Sequence, residues 1–488
     1  MSSSLFITKP VQAAPHVDAG ELHGSLKGEA TLKRTLTARQ LIALGIGAVI
    51  GAGIFVLSGQ AAAAHAGPAI TLSFIIAGVA CAFAGLCYAE FASMLPVSGS
   101  AYSYSYATLG EIVAWFIGWN LVLEYMFAGS TVAVGWSGYL NSLLQSVGLG
   151  LPDSLATAPF NVVDGKLIST GGWVNLPAVA IIVAISWLCY IGIQQSATVN
   201  SIIVAIKLVV IFLFVAFGIK YVNPANWHPF IPDAQGPGKF GFGGVVRGAA
   251  IVFFAYIGFD AVSTAAGEAK NPQRDMPIGI LGSLFFCTLV YIIVAAVLTG
   301  MLPYGQLGTP KPVATVLEAY PALNWLRMIV EIGAIAGLSS VILVMLMSQP
   351  RIFYSMAQDG LLPPTFAKVH PKYQTPYFGT LIVGICAAVL AGLLPINLLG
   401  DLVSMGTLLA FAVVSAGVLI LRKTRPDIPR PFRVPAPTIT CPLGVVSCLY
   451  LFWQPFSENW RIMLGWTVLG FFIYFGYGYR HSRLRKGG

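Results

Sequence analysis

Hydrophobic runs of roughly 20 residues, separated by short polar stretches, recur along almost the whole chain. A helix of about that length crosses a ~30 Å hydrocarbon core, so each run is predicted as a membrane-spanning helix. There are twelve, near 38–62, 69–95, 110–146, 174–193, 199–222, 243–267, 278–301, 325–350, 376–395, 397–421, 438–456 and 460–480. The ninth and tenth are parted only by the turn "LLPINLLGD". Residues 1–35 are polar with no sustained apolar run, which reads as a cytoplasmic tail and not as a cleaved signal peptide. The pattern divides the chain into that tail, five spans over 36–222, five over 240–422, two within 434–480, and a short tail at 481–488.

Composition agrees with an all-α integral membrane protein: 57% of the 488 residues are hydrophobic and 9% charged, against about a quarter charged in soluble domains. The formal charge of +9 is unevenly placed. Lys27, Lys33, Arg34 and Arg39 precede the first span, Arg422, Lys423, Arg425, Arg430 and Arg433 follow the tenth, and Arg480, Arg483, Arg485 and Lys486 end the chain. By the positive-inside rule both termini face the cytoplasm, as in a cell-membrane protein, and the charge needs no nucleic-acid partner. Seven cysteines without a CxxC pair read as small packing residues, not as a disulfide or metal framework. HExxH, Walker, GxSxG and dinucleotide-binding signatures are absent, so neither an enzyme, a metal, a cofactor nor ATP as power source is expected.

The first span contains "ALGIGAVIGAGIFVLSG", residues 43–59, with five glycines. Each costs about 1 kcal/mol relative to Ala inside a helix. Close packing through Gly47 and Gly51 is one account, and a break in the helix is the other. The sixth span carries a matching interruption, "AYIGFD" at 255–260. Glycine-interrupted spans in corresponding positions of two halves point to inverted repeats with a binding site at the breaks. The repeat rests on spacing and hydropathy, since the halves share no usable residue identity. A broken helix presents free N–H groups and a positive dipole end to a carboxylate, and free carbonyls to an ammonium.

Three stretches, "GIGAVIGAGIFVLSG", "FFAYIGFDAVSTAAGEAKNPQRDMPIGI" and "RIFYSMAQDGLLPPTFAKVHPKYQTP", carry a resemblance over roughly residues 33–480. The chain resembles the amino acid-polyamine-organocation superfamily, and within it the bacterial homologues of the cationic amino acid transporters. The resemblance implies a LeuT-type fold: 12 transmembrane helices in a five-plus-five inverted repeat with broken spans 1 and 6, plus two extra C-terminal spans. It implies a substrate site at Val49, Gly51, Ala52, Gly53 and Ile54 of span 1 and Phe254, Ala255 and Ile257 of span 6. Ala52 and Gly53 N–H groups would hold the carboxylate. Carbonyls of Val49, Phe254, Ala255 and Ile257 would hold the ammonium, with the Phe254 ring as cover. Many relatives carry Ser or Thr at the position of Ala52, so a hydroxyl donor is missing here.

Ionisable groups within a bilayer mark functional sites by default. Lys207 in span 5 reads either as a structural ion pair or, through the resemblance, as a proton-exchanging substitute for the sodium that relatives hold near positions matching Ser339 and Ser340 of span 8. Glu124 in span 3 reads either as a structural hydrogen-bonding group or as a pocket residue meeting the substrate side chain. Leu338 matches a specificity position. Glu90 reads as a gate or packing partner, Asp260 as a cap of the second half of span 6, and Glu331 as the i, i+4 partner of Arg327. Cytoplasmic "GEAKNPQRDMP" and "SMAQDGLLPPTF" read as gating helices or as solvated turns. The expected protein is a monomeric, proton-coupled L-amino acid transporter of the lipid bilayer. Its expected substrates are arginine, lysine, ornithine or alanine. An obligate exchanger is the main alternative, ahead of a sodium symporter or a channel.

Overall fold

The computed structural model of the protein describes residues 5–9, 36–95, 100–163, 166–192, 197–266 and 269–486. The tail expected at 1–35 lies outside the described residues apart from 5–9, as do Lys27, Lys33, Arg34, residues 267–268 of "GEAKNPQRDMP" and the last two residues.

Helices dominate, and the sheet among the described residues is one antiparallel hairpin, β1 (Phe160–Val163) with β2 (Lys166–Ser169), paired Phe160 to Ser169. The helices that position the site are α1 (Ala38–Val49), α2 (Ile70–Met94), α3 (Ser100–Thr108), α4 (Glu111–Ser146), α5 (Leu176–Tyr190) and α6 (Ala197–Gly218). They are followed by α7 (Gly241–Val252), α8 (Pro272–Met301), α9 (Pro312–Glu318) and α10 (Asn324–Gln358). The last are α11 (Tyr377–Leu393), α12 (Ile396–Thr424) and α13 (Pro437–Ile473). Eight helical segments among the described residues are long and apolar enough to cross a membrane, and α1, α5 and α11 are shorter apolar helices. The protein is therefore a mostly helical, multi-pass membrane protein.

Local chemistry explains several boundaries. α1 starts where the Gln40 Oε1 accepts the Thr37 backbone N–H at 2.9 Å, one half of a capping box. α13 covers both of the last expected spans, and the break between them falls at Asn459, whose φ of −112° and ψ of 18° are not helical. Helices facing the exterior carry large apolar side chains outward, among them Phe212 on α6 (69% exposed), Phe285 on α8 (75%) and Phe472 on α13 (76%). Such faces are a liability in water and the natural surface in lipid. Inside, α8 runs along α2 and α1, α10 along α4 and α6, α11 along α5, and α12 along α13. Some buried hydroxyls in this core return to their own helix, as Ser58 donates to the Ile54 carbonyl at 2.6 Å and Thr131 to that of Phe127 at 2.8 Å, while others cross to a neighbour, as Ser73 donates to the Val245 carbonyl at 2.7 Å.

Candidate functional site

Both glycine-rich spans are interrupted at their glycines. α1 ends at Val49, Ile50 is extended (φ −73°, ψ 101°), and helical structure resumes over 53–66. α7 ends at Val252 and a 3₁₀ turn follows over Phe253–Tyr256. Ile257 is then extended (φ −60°, ψ 131°), and one helical turn resumes at Ala261–Thr264. Gly258 lies at φ +118°, a region L-residues avoid, and a Cβ there would come within 2.9 Å of the Ala48 backbone. Gly53 is required for a different reason: its Cβ would fall 2.2 Å from Cβ and 2.3 Å from Cα of Ala255. The two breaks thus touch at Gly53 and Ala255.

A narrow cavity, with room for about one water molecule, opens between the breaks. Its walls include Val49, Gly51, Ala52, Gly53, Phe254 and Ile257, all expected from the sequence. α4 adds Ala128 and Val132, and α10 adds Val341 and Met345. Among the described residues the N–H groups of Gly51, Ala52 and Gly53 donate to no protein acceptor, as expected of a helix N-terminus facing a ligand. The side-chain walls are entirely apolar.

Other expected site residues lie elsewhere. Ala255 stands behind the wall against Gly53. Ile54 lines a second apolar cavity with Phe55, Val210, Phe214 and Val313. Leu338 is fully buried and lines neither cavity. Glu124, on a π-helical turn of α4 over Leu123–Phe127, is buried away from the cavity beside Asp260. Its carboxyl lies against that of Asp260, and no other side chain or backbone donor among the described residues bonds to it.

Asp260 does not cap the turn that follows it. Its carboxylate accepts backward from the Gly258 N–H at 3.1 Å and sideways from the Tyr125 hydroxyl at 2.6 Å. The positive φ of Gly258 turns that N–H toward the carboxylate, which fixes the break instead of the helix start.

Lys207 of α6 is fully buried, and its ammonium donates to the carbonyls of Gly47 at 2.7 Å and Ile50 at 2.9 Å. No carboxylate pairs with it among the described residues, so the structural ion pair is replaced by binding to the negative end of the α1 dipole. Its stem lies on Gly337, next to the serines. Ser340 donates to the Gly337 carbonyl, and Ser339 donates to the Ile335 carbonyl and accepts from the Trp136 indole, so neither hydroxyl bonds to Lys207.

Two buried ion clusters hold the ends of α12. Near its start Asp401 receives a bidentate bond from Arg247 of α7, 3.0 and 2.8 Å, with Glu458 and Asn459 of α13 completing the group. Near its end Arg422 binds Glu90 of α2, whose carboxylate also takes the Val434 N–H at 2.7 Å and lies 3.5 Å from Arg430. Glu331 lies 3.8 Å from Arg327, as the i, i+4 spacing anticipates, and also accepts from Ser142 at 2.5 Å.

Sequence reasoning missed Arg247, Asp401 and Tyr291. Arg247 and Asp401 carried the same signal as Lys207, a charge inside an apolar run. Tyr291 is a lone phenol in "LVYIIVAA"; its hydroxyl lies 2.8 Å from the carbonyl oxygens of both Val49 and Ala255.

Comparison with known proteins places this geometry in a lineage. The sequence profile described as amino acid permease matches residues 36–477. The chain is 46% identical to the branched-chain amino acid permease BcaP of Bacillus subtilis (strain 168), over 100% of both chains. It is 45% identical to the methylthioribose transporter of the same organism, over 99% of this chain and 100% of that one. With the vacuolar cationic amino acid transporter 4 of Arabidopsis thaliana it shares 38% identity over 82% of this chain and 65% of the relative. Paired helix breaks around a small apolar cavity, and a profile match spanning nearly every helix, lead to one conclusion: the chain belongs to the amino acid permease family and is a membrane transporter, not an enzyme.

Proposed function

We propose that this protein is a secondary active transporter of L-amino acids with small or branched apolar side chains, coupled to protons through Lys207. The observation that carries this reading is the cavity between the two breaks. Its one polar wall is backbone, with unpaired N–H groups at Gly51, Ala52 and Gly53 and carbonyls at the end of α1. That polarity matches the two charges every amino acid shares. The remaining walls, Ala128, Val132, Phe254, Ile257, Val341 and Met345, match the chemistry of an aliphatic side chain, which enters only when the walls part, since the cavity as it stands holds about one water. The branched-chain permease name of one relative supports the same class.

In this reading ten of the twelve expected spans form the LeuT-type inverted repeat, over 36–222 and 240–422, and the two within 434–480 lie outside it. One bundle of spans rocks against a scaffold in a cell membrane, and both termini are cytoplasmic. Lys207 supports the coupling because it lies where a cation serves the carbonyls of a broken span 1. Release of its proton would replace the two charge-assisted hydrogen bonds with weaker ones from a neutral amine and so loosen its hold on α1. Ser339 and Ser340 stand near as supporting residues. A second reading, transport of cationic amino acids, draws on the buried Glu124 carboxyl, which lies beside Asp260.

Uptake into proteoliposomes tests both readings. Radiolabelled leucine, alanine and arginine are offered to empty vesicles under an inward proton gradient without Na⁺. Accumulation of leucine and alanine above arginine is the expected result. Preferential arginine uptake would select the second reading. Exchange without net gradient-driven uptake would make the protein an exchanger.

A further inference from the structure

We infer that the connection between α12 and α13 binds the phosphate headgroup of an anionic phospholipid in the leaflet that borders it, with an acyl chain of the same lipid lying along the outer face of α13.

The stretch "RKTRPDIPRPFRVPAP", residues 422–437, carries five cations and one acid. Two of the cations are engaged inside. Arg422 bonds both oxygens of the buried Glu90, and the Arg430 Nε lies 3.5 Å from the same carboxylate. Arg430 also folds the connection around itself. Its two terminal nitrogens donate to the carbonyls of Pro426 and Ile428, at 3.3 and 2.8 Å, and to those of Leu421 and Arg425, at 3.2 and 2.8 Å. Ile428 and Val434 are buried on either side of Arg430, and Pro426, Pro429, Pro431 and Pro435 fix φ through the turn. Little of this backbone is left to order when a ligand arrives, so the surface it presents is preorganised.

Lys423, Arg425 and Arg433 remain exposed on that surface. The opposing charge within the stretch is Asp427, 3.3 Å from Arg425 with its side chain 65% exposed. A pair so open to water contributes little and leaves a positive excess. Guanidinium forks match the oxygens of a phosphate, and each cation beside an anionic leaflet is worth about fivefold in affinity. The helix that follows selects a lipid over a free phosphate. α13 begins at Pro437, and Ile439 (61% exposed), Leu443 (44%), Val446 (63%) and Tyr450 (54%) follow at helical spacing. They form one outward apolar stripe, which at 1.5 Å per residue runs about 16 Å from the connection into the bilayer. A headgroup on the arginines thus places its chain on that stripe.

Native mass spectrometry of the delipidated full chain in a non-ionic detergent tests the site. The probes are phosphatidylglycerol and phosphatidylcholine with the same chains, and soluble glycerol phosphate. Wild-type protein is expected to retain phosphatidylglycerol at least fivefold more tightly than phosphatidylcholine. Arg425→Gln combined with Arg433→Gln should weaken phosphatidylglycerol about twentyfold and phosphatidylcholine less than twofold, the second result also showing that the variant is folded. Lys368→Gln combined with Lys372→Gln removes two exposed cations from the connection between α10 and α11, at the same end of the molecule because α11 and α12 return the chain to it. That variant should change either lipid less than twofold. Equal losses in the two double variants would reduce the attraction to diffuse surface charge and overturn the inference, as would equal retention of both lipids by the wild type. Displacement of phosphatidylglycerol by an equal concentration of glycerol phosphate would make the ligand a free phosphate and overturn the lipid assignment.

Discussion

Gly53→Ala gives the sharpest test of the site, because its consequence follows from one distance. The added methyl would lie 2.2 Å from Ala255 Cβ, 2.3 Å from Ala255 Cα and 3.0 Å from its nitrogen. Ordinary contact begins at 3.4 Å. Roughly 1 Å of separation must therefore be found, and the obstacle is backbone, which cannot rotate aside as a long side chain would. Overpacking of this kind costs about 1–3 kcal/mol. Borne by the site alone, that is about five- to a hundredfold in affinity. Gly51→Ala is the matched control: its methyl meets first the Val341 side chain, Cγ2 at 3.1 Å and Cγ1 and Cβ at 3.5 and 3.6 Å, with no backbone closer. The assay is leucine uptake in proteoliposomes together with the melting temperature in detergent. Gly53→Ala should raise KM at least fivefold with a modest loss of melting temperature, and Gly51→Ala should do so less. A Gly53→Ala protein with KM within twofold of wild type would refute the placement of the substrate between the breaks.

Three further perturbations address the buried charges. Lys207→Ala should abolish uptake driven by a pH gradient while leaving substrate binding measurable by thermal shift; undiminished proton-driven accumulation would remove Lys207 from the coupling. Because Glu124 is buried off the cavity wall, Glu124→Gln should reduce alanine and arginine uptake alike, whereas a selective loss of arginine would place the carboxylate against the substrate side chain. Arg247→Met leaves Asp401 buried without its bidentate partner and should cost about 3–5 kcal/mol, read as a fall in melting temperature. Glu458→Gln, at a half-exposed carboxylate, should cost less than about 1 kcal/mol, and equal losses in the two variants would contradict the assignment of Asp401 as the main partner.

Much of the scaffold was legible because crossing lipid is a local requirement. About 20 apolar residues must come in sequence, and each helix must satisfy its own backbone. The glycine clusters were legible for a related reason, since a break needs residues that tolerate unusual backbone or close approach, and Gly258 and Gly53 supply one of each. The i, i+4 pair of Arg327 and Glu331 was likewise a property of one helix surface. Asp260 shows where local reasoning fails. Its spacing before a helical turn reads as a cap, yet Tyr125, far away on α4, offers a stronger donor and the carboxylate turns to it. Lys207 was recognised as an intramembrane charge, but its binding to Gly47 and Ile50 depends on how α6 crosses the end of α1.

The sequence by itself determined that the chain lies in a membrane, where its helices run, and that two of them are interrupted at glycines. Those properties depend on hydropathy and backbone preference summed over neighbouring residues. Tertiary structure alone decided which groups meet at the interruptions: Gly53 against Ala255, the Lys207 ammonium on the α1 carbonyls, Tyr291 across both breaks, and Arg247 on Asp401. In each pair the partners are remote in sequence, and only helix packing sets their distance. Bonds between such groups are strong only within a few tenths of an ångström of their ideal length, so their presence cannot be read from residue type or spacing.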